Sequence, residues 1–129
     1  MSCPHCDAAV VAFAVPPAIV EHAPAAETAV CTRCLRTFPA ERAGVAAEAT
    51  GDPDLSVVDS AFPGGEAGIA LALVCGHLES FALNRASIEA LVEHAELKGA
   101  DVFAFLDRLD AGDAAFDLDR RRAALVDVL

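Results

Sequence analysis

Two Cys-x-x-Cys pairs near the start of the chain constrain its fold more than any other feature of the sequence. The first is Cys3-Pro4-His5-Cys6 and the second is Cys31-Thr32-Arg33-Cys34, with 24 residues between them. Each pair can form a tight turn that directs two sulfur atoms to one point, and two such turns supply the tetrahedral ligand set of a structural zinc ion. We therefore predict that one Zn2+ is bound by Cys3, Cys6, Cys31 and Cys34.

Two other uses of the cysteines are compatible with the sequence. Cys-Pro-His-Cys is also the tetrapeptide of thiol-oxidising thioredoxin-fold proteins, which makes a thiol oxidoreductase using Cys3 and Cys6 one alternative. That chemistry places the first cysteine at the start of a helix that follows a strand, and only two residues precede Cys3. An iron–sulfur centre is the other alternative. A closed shell of four thiolates leaves no open coordination position, so we expect a structural ion and no enzymatic activity.

Proline, glycine and hydropathy patterns divide the chain into three zones. Residues 1–40 contain both cysteine pairs and short runs typical of strands, which together predict a zinc ribbon. Residues 41–65 lack periodicity and are rich in glycine and proline, as is typical of a linker. Apolar side chains within this linker are expected to dock onto the helices: Leu55, Val57, Val58 and Phe62. Residues 66–129 have helical patterns and form the third zone, an α-helical domain.

The first two predicted helices run over about 66–82 and 85–98. The first is apolar on all sides, which is typical of a buried central helix. Asn84 is a suitable N-cap for the second, and Gly99 is suited to the position just after its end. The second helix has apolar residues on one face and glutamates on the opposite face, as an amphipathic helix does.

Two further helices are predicted from their capping residues. Asp101 caps a third helix on which Phe103, Leu106 and Leu109 share one side, and Asp117 caps a fourth. Short connections between the helices favour antiparallel packing. The predicted fold class is therefore α+β, with an N-terminal zinc ribbon followed by a small α-helical bundle.

The charge of the chain limits the partners that it can have. There are 20 Asp and Glu against 9 Lys and Arg, and the formal net charge is −11. Such a charge opposes non-specific binding to DNA or RNA, which depends on neutralising phosphates. Lys98 is the single lysine, and a carboxylate-rich surface with almost no lysine is typical of halophilic proteins, with an acidic protein from a GC-rich genome as the alternative.

Three arginines near the second cysteine pair are the candidate contacts for an anionic partner. If Arg33, Arg36 and Arg42 bind DNA or RNA, the protein is a nucleic-acid-associated regulator, which is the main alternative function. No aromatic platform for bases accompanies them. We expect instead that they offset the negative charge of the thiolates and pair with Glu41 or Asp7.

Other polar residues have no assigned role at the sequence level. The basic run of residues 120–122 is flanked by aspartates and is expected to form surface ion pairs. His77 and His94 are expected to be structural or exposed, and Cys75 to be a small buried apolar residue. The sequence contains no nucleophile elbow, phosphate-binding loop, dinucleotide fingerprint or HExxH motif.

Neither a membrane span nor a secretory signal is expected. The longest apolar stretch is 67–75, whereas a spanning helix needs about 20 apolar residues. The first residues have no basic region followed by an apolar core. We therefore expect a cytoplasmic protein whose cysteines stay reduced.

Several segments resemble haloarchaeal proteins of unknown function. The opening Met-Ser-Cys-Pro-His-Cys resembles that of small haloarchaeal zinc-finger proteins built on Cys-Pro-x-Cys motifs, although those commonly have glycine where this chain has Leu35. Residues 81–85 (Phe-Ala-Leu-Asn-Arg) and 106–109 (Leu-Asp-Arg-Leu) are similar to a haloarchaeal domain family without an assigned activity. The resemblance implies zinc at the two cysteine pairs and implies no mechanism.

These features predict a non-enzymatic adaptor or regulatory protein with a structural zinc site. We expect it to act through protein–protein contacts made by the ribbon surface or the helices. The identity of the partner and the oligomeric state are not encoded in any motif, and a homodimer is one arrangement that the apolar helices allow.

Overall fold

The structure, a computed structural model, describes residues 2–44, 53–110 and 112–128. Three short strands form one antiparallel sheet in the order β1-β2-β3: β1 Val10–Ala14, β2 Glu27–Cys31 and β3 Thr37–Pro39. All three lie in residues 1–40, where the sequence predicts short strands. Residues 45–52 of the predicted linker lie outside the described residues.

Four helices follow the sheet in the chain: α1 Gly65–His77, α2 Arg85–Leu97, α3 Val102–Arg108 and α4 Leu118–Val128. The predicted α+β class is therefore confirmed. The first helix is shorter than predicted, because α1 ends at His77 and the chain continues as a 3-10 turn over Leu78–Ser80. Among the described residues, no helix has the length and apolarity needed to cross a bilayer.

The sheet separates two apolar clusters because neighbouring residues of a strand point to opposite faces. Phe13 and Val30 face the large core that the helices form. On the other face, Ala29, Cys31 and Phe38 belong to a small cluster that contains the paired cysteines. The alternation along the strands therefore places the cysteine pairs and the helices on opposite sides of one sheet.

Helix α1 is the centre of the large core. All nine residues over 67–75 are buried, which explains why this helix is apolar on every side. It packs against α2 and against the edge strand β3. A Cβ atom at Gly76 would overlap the Thr37 side chain, so glycine allows α1 to approach β3 closely.

The apolar side of α3 differs from the prediction. Phe103 is 42% exposed, whereas Val102, Phe105 and Leu106 are at most 2% exposed. The buried residues follow the spacing i, i+3, i+4 of a helical stripe, and this stripe excludes position 103. Phe105 makes an edge-to-face contact with Phe62, with ring centroids 4.8 Å apart.

The described part of the predicted linker packs against the helices as expected, with one difference. Leu55 is 2% exposed and Phe62 6%, and Val58 is partly buried against the same core, but Val57 is 62% exposed. The large core runs without interruption from Phe13 in the sheet to residues of α4. The division into domains 1–40 and 66–129 stays a prediction, and the sheet and the helices share this core.

Candidate metal centre

The structure brings the four paired cysteines together. Their sulfur atoms all lie within 4.8 Å of one another, with 3.8 Å between Sγ of Cys3 and Cys34 and 3.4 Å between Sγ of Cys6 and Cys31. A disulfide would need about 2.05 Å, so these are free thiols. A tetrahedron with metal–sulfur bonds of about 2.3 Å has edges of about 3.8 Å. The four sulfurs could therefore hold a single metal ion.

The two cysteine turns have similar local structure. Backbone N–H groups donate to the sulfurs: His5 to Cys3 at 3.4 Å, and Arg33 and Cys34 to Cys31 at 3.3 and 3.4 Å. Such bonds stabilise the negative charge of a thiolate. They require a tight turn after the first cysteine of each pair, which the two-residue spacing provides.

The residue after each pair has left-handed backbone geometry. Asp7 has φ 63° and Leu35 has φ 62°, and these are the two positive φ values found at non-glycine residues of the described chain. This conformation turns the chain away from the sulfurs and towards β1 or β3. It is a conformation that glycine adopts most readily.

Burial and backbone hydrogen bonds shift the pKa values of three of the thiols in opposite directions. Cys3, Cys31 and Cys34 are at most 5% exposed, and Cys6 is the most accessible of the four. Burial raises the pKa of Cys31 and raises the pKa of Cys34 to about 12. A hydrogen bond from the backbone of Ala8 lowers the pKa of Cys6 to about 7. Since a metal binds thiolates, loading this site with a cation would release protons from the buried thiols.

Apolar residues surround the sulfurs on the inner side. The small cluster that contains the cysteines also includes Ala8, Ala29, Phe38, Ala40 and Ala43. These side chains offer no oxygen or nitrogen ligand. Among the described residues, the four cysteines are the one group of three or more potential metal ligands.

The expected ion pairs of the nearby arginines with Glu41 or Asp7 are not found among the described residues. Arg36 pairs with Glu79, with 3.3 Å between Nε and Oε2, and not with Glu41 or Asp7. The hydrogen bond from Arg36 to Glu79 raises the pKa of the guanidinium. Arg33 and Arg42 are exposed, and within the described part of the chain neither forms an ion pair.

One arginine of the basic run on α4 forms the expected surface ion pairs. Arg122 pairs with Asp119 at 3.2 Å and with Asp107 at 3.5 Å, and it donates to the carbonyl oxygen of Leu106 at 2.6 Å. Arg121 lies over the ring of Phe81, 6.0 Å from its centroid. These contacts engage two of the three arginines within the molecule.

The remaining polar candidates lie away from the sulfurs. His77 Nε2 is 2.5 Å from the carbonyl oxygen of His22, and His94 contacts Glu66 at 3.2 Å. Cys75 is 1% exposed in α1, and burial raises its pKa to about 12. All three side chains fit the structural roles that the sequence suggests.

One contact at the site has no signal in the sequence. The backbone N–H of Ala115, in the loop between α3 and α4, donates to the carbonyl oxygen of Cys34 at 2.8 Å. Leu35, the next residue, is 3% exposed and belongs to the large core. The second cysteine turn is therefore held by the helical part of the molecule as well as by the sheet.

The chain matches a protein-family model over almost its whole length. The model of a family described as "Family of unknown function (DUF6276)" matches residues 2–129. The matched span includes both cysteine pairs and all four helices. No curated protein and no solved structure matches the chain.

Proposed function

The chain belongs to the DUF6276 family of unknown function, and we propose that it binds one structural Zn2+ through Cys3, Cys6, Cys31 and Cys34. The observation that carries this proposal is the convergence of four sulfur atoms within 4.8 Å. Soft thiolates in a tetrahedral set favour zinc among the abundant divalent metals. A four-iron cluster binds each thiolate to a different iron atom, so it would need sulfurs further apart than these.

The arrangement of the sulfurs supports a structural role for the ion. Four thiolates close the coordination shell and leave no position for water or substrate. The first cysteine pair lies in a turn that leads into β1, and not at the start of a helix. The shortest sulfur contacts join one cysteine pair to the other. These features favour a metal site over a thiol oxidoreductase.

The zinc content of the purified protein tests this proposal. We expect one zinc per chain by elemental analysis, and loss of that zinc in Cys31→Ser. Cys75→Ser is the matched control, because Cys75 is a buried cysteine outside the sulfur cluster, and this variant should keep its zinc. Iron in place of zinc, or full zinc retention in Cys31→Ser, would contradict the proposal.

We further propose that the protein is a non-enzymatic adaptor or regulator that acts through protein contacts in a salt-rich cytoplasm. Among the side chains that the structure describes, four large apolar ones are more than half exposed: Val57, Leu83, Leu97 and Val126. The net charge of −11 and the single lysine favour a saline interior. The nucleic-acid alternative has less support, because Glu79 already engages Arg36.

Affinity capture at molar KCl tests the adaptor role. The metal-loaded protein should retain a protein partner, and Leu97→Asp or Leu83→Asp should reduce that retention without changing the zinc content. Glu89→Asp, which changes an exposed residue of α2 conservatively, serves as the control. Retention of nucleic acid in place of protein would favour the alternative function.

A further inference from the structure

Strand β1 uses only half of its backbone groups in hydrogen bonds to the described part of the chain. Just before the strand, the N–H of Thr32 donates to the carbonyl oxygen of Ala9 at 3.0 Å, and just after it the N–H of Val15 donates to that of Ala26 at 2.8 Å. Hydrogen-bonded pairs alternate along an antiparallel ladder. The backbone N–H and C=O groups of the odd-numbered residues of β1 therefore point towards β2, and those of the even-numbered residues point away from it.

The outward groups belong to Val10, Ala12 and Ala14. Within residues 2–44, 53–110 and 112–128, no backbone group hydrogen-bonds to them. Because β1 is at the end of the strand order, these groups form an open edge of the sheet. An open edge offers three N–H donors and three carbonyl acceptors to another strand.

The two edges of the sheet differ in their protection. The opposite edge strand, β3, has three residues, ends at Pro39, which has no N–H, and lies against α1. Strand β1 has five residues and contains no charge, proline or glycine. Proteins protect free edges with charged residues, proline or a covering element. Strand β1 has none of these protecting features among its own five residues, so its outward backbone groups can pair with another strand.

The open run on β1 is bounded symmetrically. On one side, the carbonyl oxygen of Ala8 already accepts from the N–H of Cys3 at 2.9 Å. On the other side, Pro16 has no N–H to donate. Both residues are four positions from Ala12, so the three outward residues have Ala12 at their centre.

We propose that two copies of this chain associate by antiparallel pairing of their β1 strands about a two-fold axis at Ala12. Val10 of each copy then lies opposite Ala14 of the other, and Ala12 lies opposite Ala12. Each of the three pairs exchanges two hydrogen bonds. The two sheets join into one sheet of six strands, which removes both open edges.

A second copy suits this edge better than a flexible peptide for two reasons. Its β1 strand is already ordered by β2, so pairing costs less conformational entropy than ordering a free segment. Residues 8–17 are also uncharged, and in this register Asp7 lies opposite Pro17 and not opposite another carboxylate. The pairing therefore brings together uncharged segments of two molecules that are otherwise acidic.

The net charge sets the salt dependence of this association. Each copy has a net charge of −11, so two copies repel each other at long range. At about 1 M salt this repulsion is screened beyond about 3 Å. The hydrogen bonds between the two edges act at contact distance and are therefore retained. Dimer formation should therefore increase as KCl is raised.

Sedimentation equilibrium and residue-resolved amide exchange of the metal-loaded protein test the proposal together. In molar KCl the mass should rise with concentration from 13.3 kDa towards twice that value. The amides of Val10, Ala12 and Ala14 should gain protection as the dimer forms, while those of Val11 and Phe13 should be protected at every concentration. A monomer at all concentrations, or a dimer without this alternation, would overturn the proposal.

Two variants and one control test the register. Ala14→Asp places a carboxylate beside Val10 of the other copy and should weaken the dimer by at least about tenfold, whereas Ala86→Asp, on the exposed side of α2, adds the same charge without weakening it. Ala12→Pro removes only an outward N–H and should also yield a monomer, with its zinc content showing that it is folded. A dimer that survives both edge variants would contradict the pairing.

Discussion

At the scale of single residues, two positions in the cysteine turns adopt a conformation that most residues avoid. Asp7 and Leu35 have φ values of 63° and 62°. The left-handed conformation costs roughly 1–2 kcal/mol for residues with a Cβ atom, and less for Asp. Leu35 is 3% exposed in the large core, and full burial of a leucine side chain contributes about 1.5–3 kcal/mol. Burial therefore outweighs the backbone cost at Leu35, whereas Asp7 is exposed and has no such compensation.

Replacing each of these residues with glycine should have opposite effects. Asp7→Gly relieves the backbone without removing a buried group and should stabilise the metal-loaded protein by about 0.5 kcal/mol. Leu35→Gly relieves the backbone but leaves a cavity in the core and should destabilise it by about 1–3 kcal/mol. Urea unfolding of the two variants beside the parent measures both changes. Changes of the same sign would show that burial does not explain the choice of leucine.

The sequence predicts the site only as far as its local pattern reaches. The four cysteines could be identified because the Cys-x-x-Cys spacing determines a turn by itself. The ion pair of Arg36 with Glu79 joins residues 43 positions apart, and the hydrogen bond of Ala115 to Cys34 joins the loop after α3 to the second turn. Such contacts depend on how whole elements pack, and no short motif encodes them.

At the scale of elements, capping residues marked the helix starts, but they do not all act as caps. The Asp101 side chain accepts from the N–H of Ala104 at 3.0 Å. Asn84 precedes α2 as predicted, yet its side chain makes no capping bond and instead donates to the carbonyl oxygen of His77 at 3.5 Å. A capping residue predicted from the sequence therefore stabilises the start of α3 through its side chain, but not the start of α2.

Alanine substitutions distinguish the contributions of Asp101 and Asn84 to the stability of the protein. Asp101→Ala leaves the N–H of Ala104 without its partner and should destabilise the protein by about 1 kcal/mol. Asn84→Ala removes only a long hydrogen bond and should change stability by less than about 0.5 kcal/mol. Thermal unfolding of the two variants under identical salt conditions compares them. An equal loss of stability would indicate that Asn84 caps α2 in solution.

The elements themselves were predictable where their pattern was long, and less so where it was short. The uniformly apolar segment 67–75 correctly predicts a buried helix, because any face of it can be buried. Helix α3 has seven residues, so one stripe through Phe103 and another through Phe105 fit the sequence almost equally well. Phe105 is the buried one because it meets Phe62 across the core, and this is a tertiary contact.

The contact between α1 and β3 depends on a single glycine. Alanine is a better helix former than glycine by about 1 kcal/mol, so Gly76→Ala would stabilise an isolated α1. In the protein the added Cβ overlaps the Thr37 side chain, and forced overpacking costs about 1–3 kcal/mol or more. We expect net destabilisation in chemical unfolding. Gly112→Ala, where the nearest atom to an added Cβ is 3.8 Å away, is the control and should have little effect. A stabilised Gly76→Ala would contradict the close packing.

At the scale of the whole molecule, the cysteine centre and the helices are parts of one packed structure. Leu35 follows a cysteine and lies in the helical core, and Ala115 hydrogen-bonds to Cys34. Apparent binding free energies of structural zinc ions are about 10–16 kcal/mol in zinc-finger peptides. The total stability of a domain is about 5–15 kcal/mol. The binding free energy of a metal at this centre would therefore be as large as the whole free energy of unfolding of a typical domain.

Removal of the metal should for this reason unfold the helices together with the sheet. We expect a chelator to lower the melting temperature strongly and to reduce the helical circular dichroism signal in the same transition, because the second cysteine turn is shared by both parts. Glu79→Gln is a useful control: it removes a half-exposed ion pair with Arg36, should cost no more than about 1 kcal/mol, and should leave the metal in place. If chelation left the helical signal and its melting temperature unchanged, the cysteine turns and the helices would be independent units, despite the core that they share.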